Sequence, residues 1–230
     1  VADALSLPWV MLHNAVSVDG NSSGFEPDAR MFFGVATKLE ETATLCSALG
    51  VAKEGVEVEP EGEEDLAPPG EVEEGDERPV CLVVDSRGRV RTWHLLRRSG
   101  IWKDFVALIS DATPAEYVEY LTARHISFIR AGEDKVDLRV ALRRARAEFG
   151  ASRVRVDGCA ALNAALLADG LVDELSLLIA PTIVAAGATG TAPLVGAIPG
   201  CAGVPLKLIS ALDAGETGYV WLRYAVVKDA

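Results

Sequence analysis

The stretch Val154-Arg155-Val156-Asp157-Gly158-Cys159-Ala160-Ala161-Leu162-Asn163-Ala164-Ala165-Leu166-Leu167-Ala168, with Leu175-Ser176-Leu177-Leu178-Ile179 after it, decides the fold class. Val154 to Val156 reads as a short strand, and Asp157-Gly158 stops it. Ala160 to Ala168 is rich in helix formers, and Leu175 to Ile179 is apolar enough for a second buried strand. Strand, helix and strand in so short a span imply a right-handed crossover between parallel strands.

The same alternation extends outward. Trp9 to Val18 is a near-continuous apolar run closed by Asp19-Gly20, the form of a strand buried on both faces. Asp28 to Leu39 has helical spacing through Met31, Val35 and Leu39, and Thr42 to Cys46 is a short strand. Pro79 to Asp85 and Phe105 to Ile109 are further strands. Ser110 to Pro114 supplies an N-cap for a helix over Ala115 to Arg124. Ile126 to Ile129 is a strand, and Asp137 to Phe149 a helix ended by Gly150. Leu206 to Ile209 and Tyr219 to Val227 flank Asp213-Ala214-Gly215 as an antiparallel hairpin. The expectation is one α/β domain over residues 1–230, with a mostly parallel central sheet, helices on both faces and a C-terminal antiparallel hairpin.

The formal charge of −12 is confined to one segment. Glu54 to Glu77 holds twelve acidic residues and no basic one, so the other 22 acids face 22 bases. With three prolines, four glycines and few large apolar side chains, residues 54–78 read as a flexible acidic insertion, a solvated loop. A neutral body with an acidic insertion argues against nucleic acid as a partner.

Leu175 to Leu206 carries no charge, but its prolines at 181, 193, 199 and 205 forbid a continuous membrane helix. A buried strand followed by a glycine-rich loop is expected instead. Cys46, Cys81, Cys159 and Cys201, like His13, His94 and His125, lack metal or redox spacing, so no metal is expected. The cysteines sit among small apolar residues and read as reduced thiols of a cytoplasmic protein. With no signal peptide expected, Asn21-Ser22-Ser23 reads as a turn rather than a glycosylation site. His13, inside the first strand, reads as a hydrogen-bonded core or rim histidine.

In parallel sheets ligands bind beyond the carboxyl ends of the strands, which singles out Ser17, Asp19, Ser47, Ser86, Arg87, Asp157 and Gly158. Asp19 and Asp157 could bond the donors of a polar heterocycle or handle a proton, or each could simply close a turn. Gly158 opens a helix whose N-terminal amides favour an anion. Arg87, Arg89 and Arg91 could grip a phosphate, or could form a solvated edge face.

Pro8 to Gly20 resembles the first-strand motif of the reductase domain of riboflavin biosynthesis, in the dihydrofolate-reductase-like superfamily. Val154 to Leu167, with Gly170 to Leu175 and Ala180-Pro181, resembles that family's strand, glycine turn, helix and following strand. The resemblance implies a homodimer that uses NADPH to reduce a ribosylaminopyrimidine by hydride transfer. Asp19 and Asp157 would be the catalytic carboxylates, with Asn14 and Ser17 beside them on the substrate. The cofactor would meet Ser47, Ser86, Arg87, Gly158, Cys159, Ala160 and Gly187. Family glycines are replaced at Ser47, at Cys159 and at Ala185-Ala186, which keeps a second expectation open: a non-redox relative, enzyme or small-molecule binder, that has lost the cofactor.

Overall fold

In the computed structural model the placement of residues 6–52, 57–70, 72–73, 75–185, 190–201 and 203–228 is described. Chain contacts divide the protein into two compact units. One holds Val1–Pro8 and Thr42–Val154, the other Trp9–Glu41 and Arg155–Ala230.

The first unit is built on four parallel strands, β2 (Ala43–Ser47), β3 (Val80–Val84), β4 (Asp104–Ile109) and β5 (Ser127–Arg130), in the order β5-β4-β3-β2. Their runs of Val, Leu, Ile and Ala are buried almost throughout, as expected of strands covered on both faces. The helices are α2 (Ala48–Val51), α3 (Trp93–Arg98), α4 (Ala115–Ala123) and α5 (Leu138–Phe149). Asp137 caps α5 by accepting from Val140 N, and Gly150 ends it in the left-handed conformation at φ +69°.

Two local expectations are corrected. Ser110 and Asp111 do not cap α4. Pro114 occupies the N-cap position, and Thr113 Oγ1 donates to Ser86 O at 2.9 Å instead. Helices α2 and α3, of four and six residues, escape a periodicity reading because neither completes two turns.

Most of the described acidic segment is exposed, and it also holds local structure. Glu63–Leu66 forms a 3-10 turn whose Asp65 is buried and accepts from Gly62 N. Arg98 reaches Asp65 at 2.5 Å and Glu59 at 2.9 Å, while Arg124 reaches Glu61 at 2.5 Å. Arg97 donates to Asp65 O. Among the described residues of the segment, the apolar Leu66 and Val72 are exposed. The anchoring comes from arginines on α3 and after α4, which a count of charges within the segment cannot reveal.

The second unit contains β1 (Trp9–Ser17), β6 (Arg153–Asp157, whose first two residues belong to the first unit), β7 (Glu174–Ala180), β8 (Leu206–Asp213) and β9 (Val220–Val226). Their order is β6-β1-β7-β9-β8. β1 and β7 are parallel from Met11–Glu174 to Ser17–Ala180, whereas β7–β9 and β9–β8 are antiparallel, with a bulge between Leu208 and Ser210. Helices α1 (Ala29–Ala36) and α6 (Ala160–Ala168) complete it. Met11, Ala15, Leu39, Leu178 and Trp221 form its core. The α/β class, mostly parallel sheet and C-terminal hairpin read from the sequence are those of the structure. Among the described residues, no helix is long and apolar enough to cross a membrane, and no cluster of three or more His, Cys, Asp or Glu could hold a metal.

Candidate active site

The carboxyl end of β1 is a closed turn. Ser17 is buried, its Oγ accepting from Asn21 N at 3.0 Å and its backbone N donating to Asn21 O. Gly20 stands at φ +84°, a conformation that favours glycine. Asp19 uses both carboxylate oxygens within the protein. Oδ1 accepts from Val184 N at 2.9 Å and Oδ2 from Asn21 Nδ2 at 3.1 Å. The Val184 amide first, and the Ser17 hydroxyl next, hold its pKa below the usual carboxylate range. Asp19 is therefore an exposed, fixed anion.

β6 lies beside β1 and ends in a carboxylate of the opposite character. Burial raises the pKa of Asp157 above the ordinary value, and the Arg155 guanidinium opposes that rise without cancelling it. Solvent nevertheless reaches 43% of the Asp157 side chain, so the carboxyl is crowded by protein on most sides and open on one. The two carboxyls are thus pushed in opposite directions, Asp19 towards its ionised form and Asp157 towards its protonated form.

Gly158 follows, and a Cβ there would stand 2.8 Å from Asn163 Oδ1 and 3.0 Å from Val156 Cγ1. Glycine is required by close packing, not by a left-handed φ. The neighbouring Cys159 is extended (φ −78°, ψ 167°), so a side chain here introduces no strain. Cys159 is the N-cap of α6, but no side chain caps the helix and no acidic residue occupies its first turn. The amides from Ala160 onward thus keep the positive end of the helix dipole available to an anion. Asn14 is buried, its Nδ2 donating to Gly158 O and its Oδ1 accepting from Asn163 Nδ2, both at 3.2 Å. Its amide supports the turn from below.

His13 is fully buried. Its Nε2 lies 3.3 Å from Phe32 O, which only accepts, so Nε2 carries the proton and Nδ1 accepts from Ser176 Oγ at 3.0 Å. Ser176 in turn accepts from Trp221 Nε1 at 2.9 Å. Burial first, and Arg155 second, lower its pKa to about 4. It is the core histidine that its place in the strand suggested.

In the first unit, Ser47 Oγ accepts from Gly50 N and caps α2, and Ser86 Oγ accepts from Val136 N at 3.1 Å. Asp85 closes the turn after β3 by accepting from Arg89 N and Val90 N. Gly88, at φ +65°, lies under Tyr117, where a Cβ would come within 2.6 Å of the ring. Arg91 donates to Gly88 O and stacks over Tyr117 and Tyr120. Of the three arginines after β3, Arg87 alone is left exposed with no side-chain partner among the described residues. Gly187 lies outside the described residues.

The family model of the RibD C-terminal domain matches residues 8–216. The chain belongs to the RibD C-terminal domain family. A 2,5-diamino-6-ribosylamino-4(3H)-pyrimidinone 5′-phosphate reductase of Methanothermobacter thermautotrophicus is 36% identical over 108 residues, 47% of this chain and 48% of that protein. The match thus spans about half the length of the curated relative. A pyrimidine reductase-like protein of Corynebacterium diphtheriae superposes with a TM-score of 0.70 at 18% identity, covering 100% of this chain and 96% of that one. The riboflavin biosynthesis reductase of Saccharomyces cerevisiae gives 0.64 at 17%, covering 96% and 90%.

For a RibD C-terminal domain, the most telling residue missed from the sequence is Arg155. It is buried, two positions before Asp157 on one face of β6, and its Nε donates to Glu41 Oε2 at 2.6 Å. A charged residue set between two buried valines, in a strand whose middle three positions are buried, was the available signal. Asn163, wholly buried and bonded to both Asn14 and Leu194 O, was also passed over, as part of an alanine- and leucine-rich helix.

Proposed function

We propose that this chain is an NADPH-dependent reductase that converts the ribosyl group of a 5′-phosphorylated ribosylaminopyrimidine to ribityl. The observation that carries the reading is the pair at the ends of β1 and β6: Asp19 held ionised, and Asp157 held with a raised proton affinity at the head of an uncapped helix.

Residues of each unit, taken by itself, suit one group of the cofactor. In the first, the exposed Arg87, on a turn fixed by Asp85 and Gly88, suits a 2′-phosphate and would favour NADPH over NADH. Ser47 and Ser86 shape their loops there as caps and turn acceptors. In the second, the amides from Cys159 and Ala160 onward, with Gly158 fixing the turn before them, suit a pyrophosphate. When bound, the reduced nicotinamide supplies a hydride to the anomeric carbon as its bond to the ring oxygen breaks and that oxygen takes a proton. Asp157 is the donor we assign for that proton. Asp19 and the Ser17 turn present a fixed acceptor to the pyrimidine's N–H groups, and Asn14 keeps the Gly158 turn in place.

The test is NADPH oxidation with the ribosylaminopyrimidine phosphate. Asp157→Asn should lower turnover by about 100-fold or more while leaving NADPH binding, read by tryptophan quenching, in place. Arg87→Ala should weaken NADPH by about 10- to 100-fold and leave NADH unchanged. Turnover unchanged in Asp157→Asn would overturn the proton assignment.

Two further readings go with this one. The edge strand β8 exposes Leu206, Leu208, Ile209 and Leu212, a strip suited to a second copy of the chain, and sedimentation would show a dimer that Leu208→Lys dissociates. All four cysteines are free, with Cys46 and Cys81 buried, which supports a reducing cytoplasmic setting. Nothing in the comparisons favours a cofactor-free descendant.

A further inference from the structure

Arg155 and Asp157 occupy alternate positions of β6 and so lie on one face of the strand. The Arg155 side chain is 3% exposed. Its Nε donates to Glu41 Oε2 at 2.6 Å. Its Nη1 is buried without a hydrogen-bond partner, 3.8 Å from Asp157 Oδ2. The guanidinium carbon lies 5.9 Å from the centre of the Phe32 ring, which stacks on His13. An unused buried donor on a cation is unfavourable, and native structures seldom keep one without a reason.

The arrangement supplies the reason. Glu41 already balances the charge of Arg155, so the guanidinium pulls only partly on a second carboxyl. While Asp157 holds its proton, Nη1 needs no more than an approximate neighbour. Once the proton leaves, the new carboxylate is the acceptor that Nη1 lacks, and a small side-chain rotation would convert the 3.8 Å approach into a charge-assisted hydrogen bond. Among the described residues, the charged and titratable groups recorded against Arg155 include Glu41 before β2, Asp157 on β6 itself and His13 on β1. His13 stays neutral because its pKa is lowered to about 4. Asp19 is turned to Val184 and Asn21.

We propose that Arg155, shared between Glu41 and Asp157, is a positioning residue that sets the proton affinity of Asp157 and receives its carboxylate after the proton has gone. The role within catalysis rests on the reading of Asp157 as the proton donor. The coupling itself stands on the geometry alone.

The experiment is a titration of the Asp157 carboxyl by 13C NMR in the whole chain, alongside the pH profile of turnover. Glu41→Gln frees the charge of Arg155 and should move the Asp157 midpoint down. Arg155→Met alone would leave Glu41 buried and uncompensated, so the partner variant is the double Glu41→Gln/Arg155→Met, which removes both charges and should move the midpoint up. Arg155→Lys keeps the charge and should return the midpoint towards wild type. The pH profile should move in the same opposite directions, which loss of packing alone would not produce. Midpoints unchanged in Glu41→Gln and in the double variant, or shifted the same way in both, overturn the proposal. Absence of turnover in the wild-type chain would instead refute the reductase reading, and the carboxyl titration would still decide the coupling.

Discussion

His13 offers the sharpest quantitative test of how this core is built. In the unfolded chain its imidazole titrates near the ordinary 6.5, whereas burial and Arg155 lower the folded value to about 4. The sign follows directly. Above the unfolded pKa both states are neutral and His13 does not affect stability. As the pH falls below it, the unfolded chain takes a proton that the folded chain refuses, and stability is lost until the folded pKa is passed. The loss is about 1.4 kcal/mol per pH unit, hence about 3 kcal/mol in all and roughly 2 kcal/mol between pH 7 and pH 5. That is a large fraction of a typical domain stability of about 5–15 kcal/mol. Urea unfolding at the two pH values, for wild type and His13→Gln, isolates the contribution. Glutamine cannot titrate, so the variant, though weaker at both values, should lose about 2 kcal/mol less than wild type on acidification. Parallel losses in the two proteins would refute the argument. Should the variant fail to fold, the ring resonances of wild-type His13 decide the matter: protonation near 6.5 in the native state would be fatal to it.

Three other outcomes are expected. Asp157→Asn should raise the melting temperature at neutral pH, because a carboxyl whose folded pKa is raised is more easily ionised in the unfolded chain, so its charge opposes folding once the pH exceeds both values; a lower melting temperature would contradict the assignment. Gly158→Ala should destabilise by about 1–3 kcal/mol by overpacking, since its Cβ would meet Oδ1 of the buried Asn163 amide, whose Nδ2 is tied to Asn14 Oδ1 and Leu194 O; thermal melts unchanged from wild type would show that the amide can move. Arg98→Ala should expose residues 57–66 to limited proteolysis, and added salt should do the same in the wild type, because Asp65 and Glu59 lose their shared cation; an unchanged cleavage pattern would mean that the segment is held by other contacts.

What was legible in the sequence is what depends on local pattern. The buried strands announced themselves as apolar runs, and Asp28, Asp137 and Gly150 marked helix ends that the structure places where they stood. The ends of β1 and β6 were legible for the same reason, since in each an Asp-Gly pair closes an apolar run. What could not be read is which of those residues are already engaged by the protein. Asp19 and Asp157 look alike in sequence, each in an Asp-Gly pair after an apolar strand. Only the tertiary partners separate them. The Val184 amide, 165 positions away, lowers the pKa of one, and burial raises that of the other against the pull of Arg155. The arginine run after β3 divides likewise, because Arg91 is drawn onto Tyr117 and Tyr120 while Arg87 is not. The acidic segment makes the same point with charge. Its counter-ions Arg98 and Arg124 lie beyond it in the chain, so a segment that looks unanchored in isolation is held by residues that a neutral overall count had assigned to the body. In each case the chemistry belongs to a pair, and a pair distant in sequence leaves no local pattern to read.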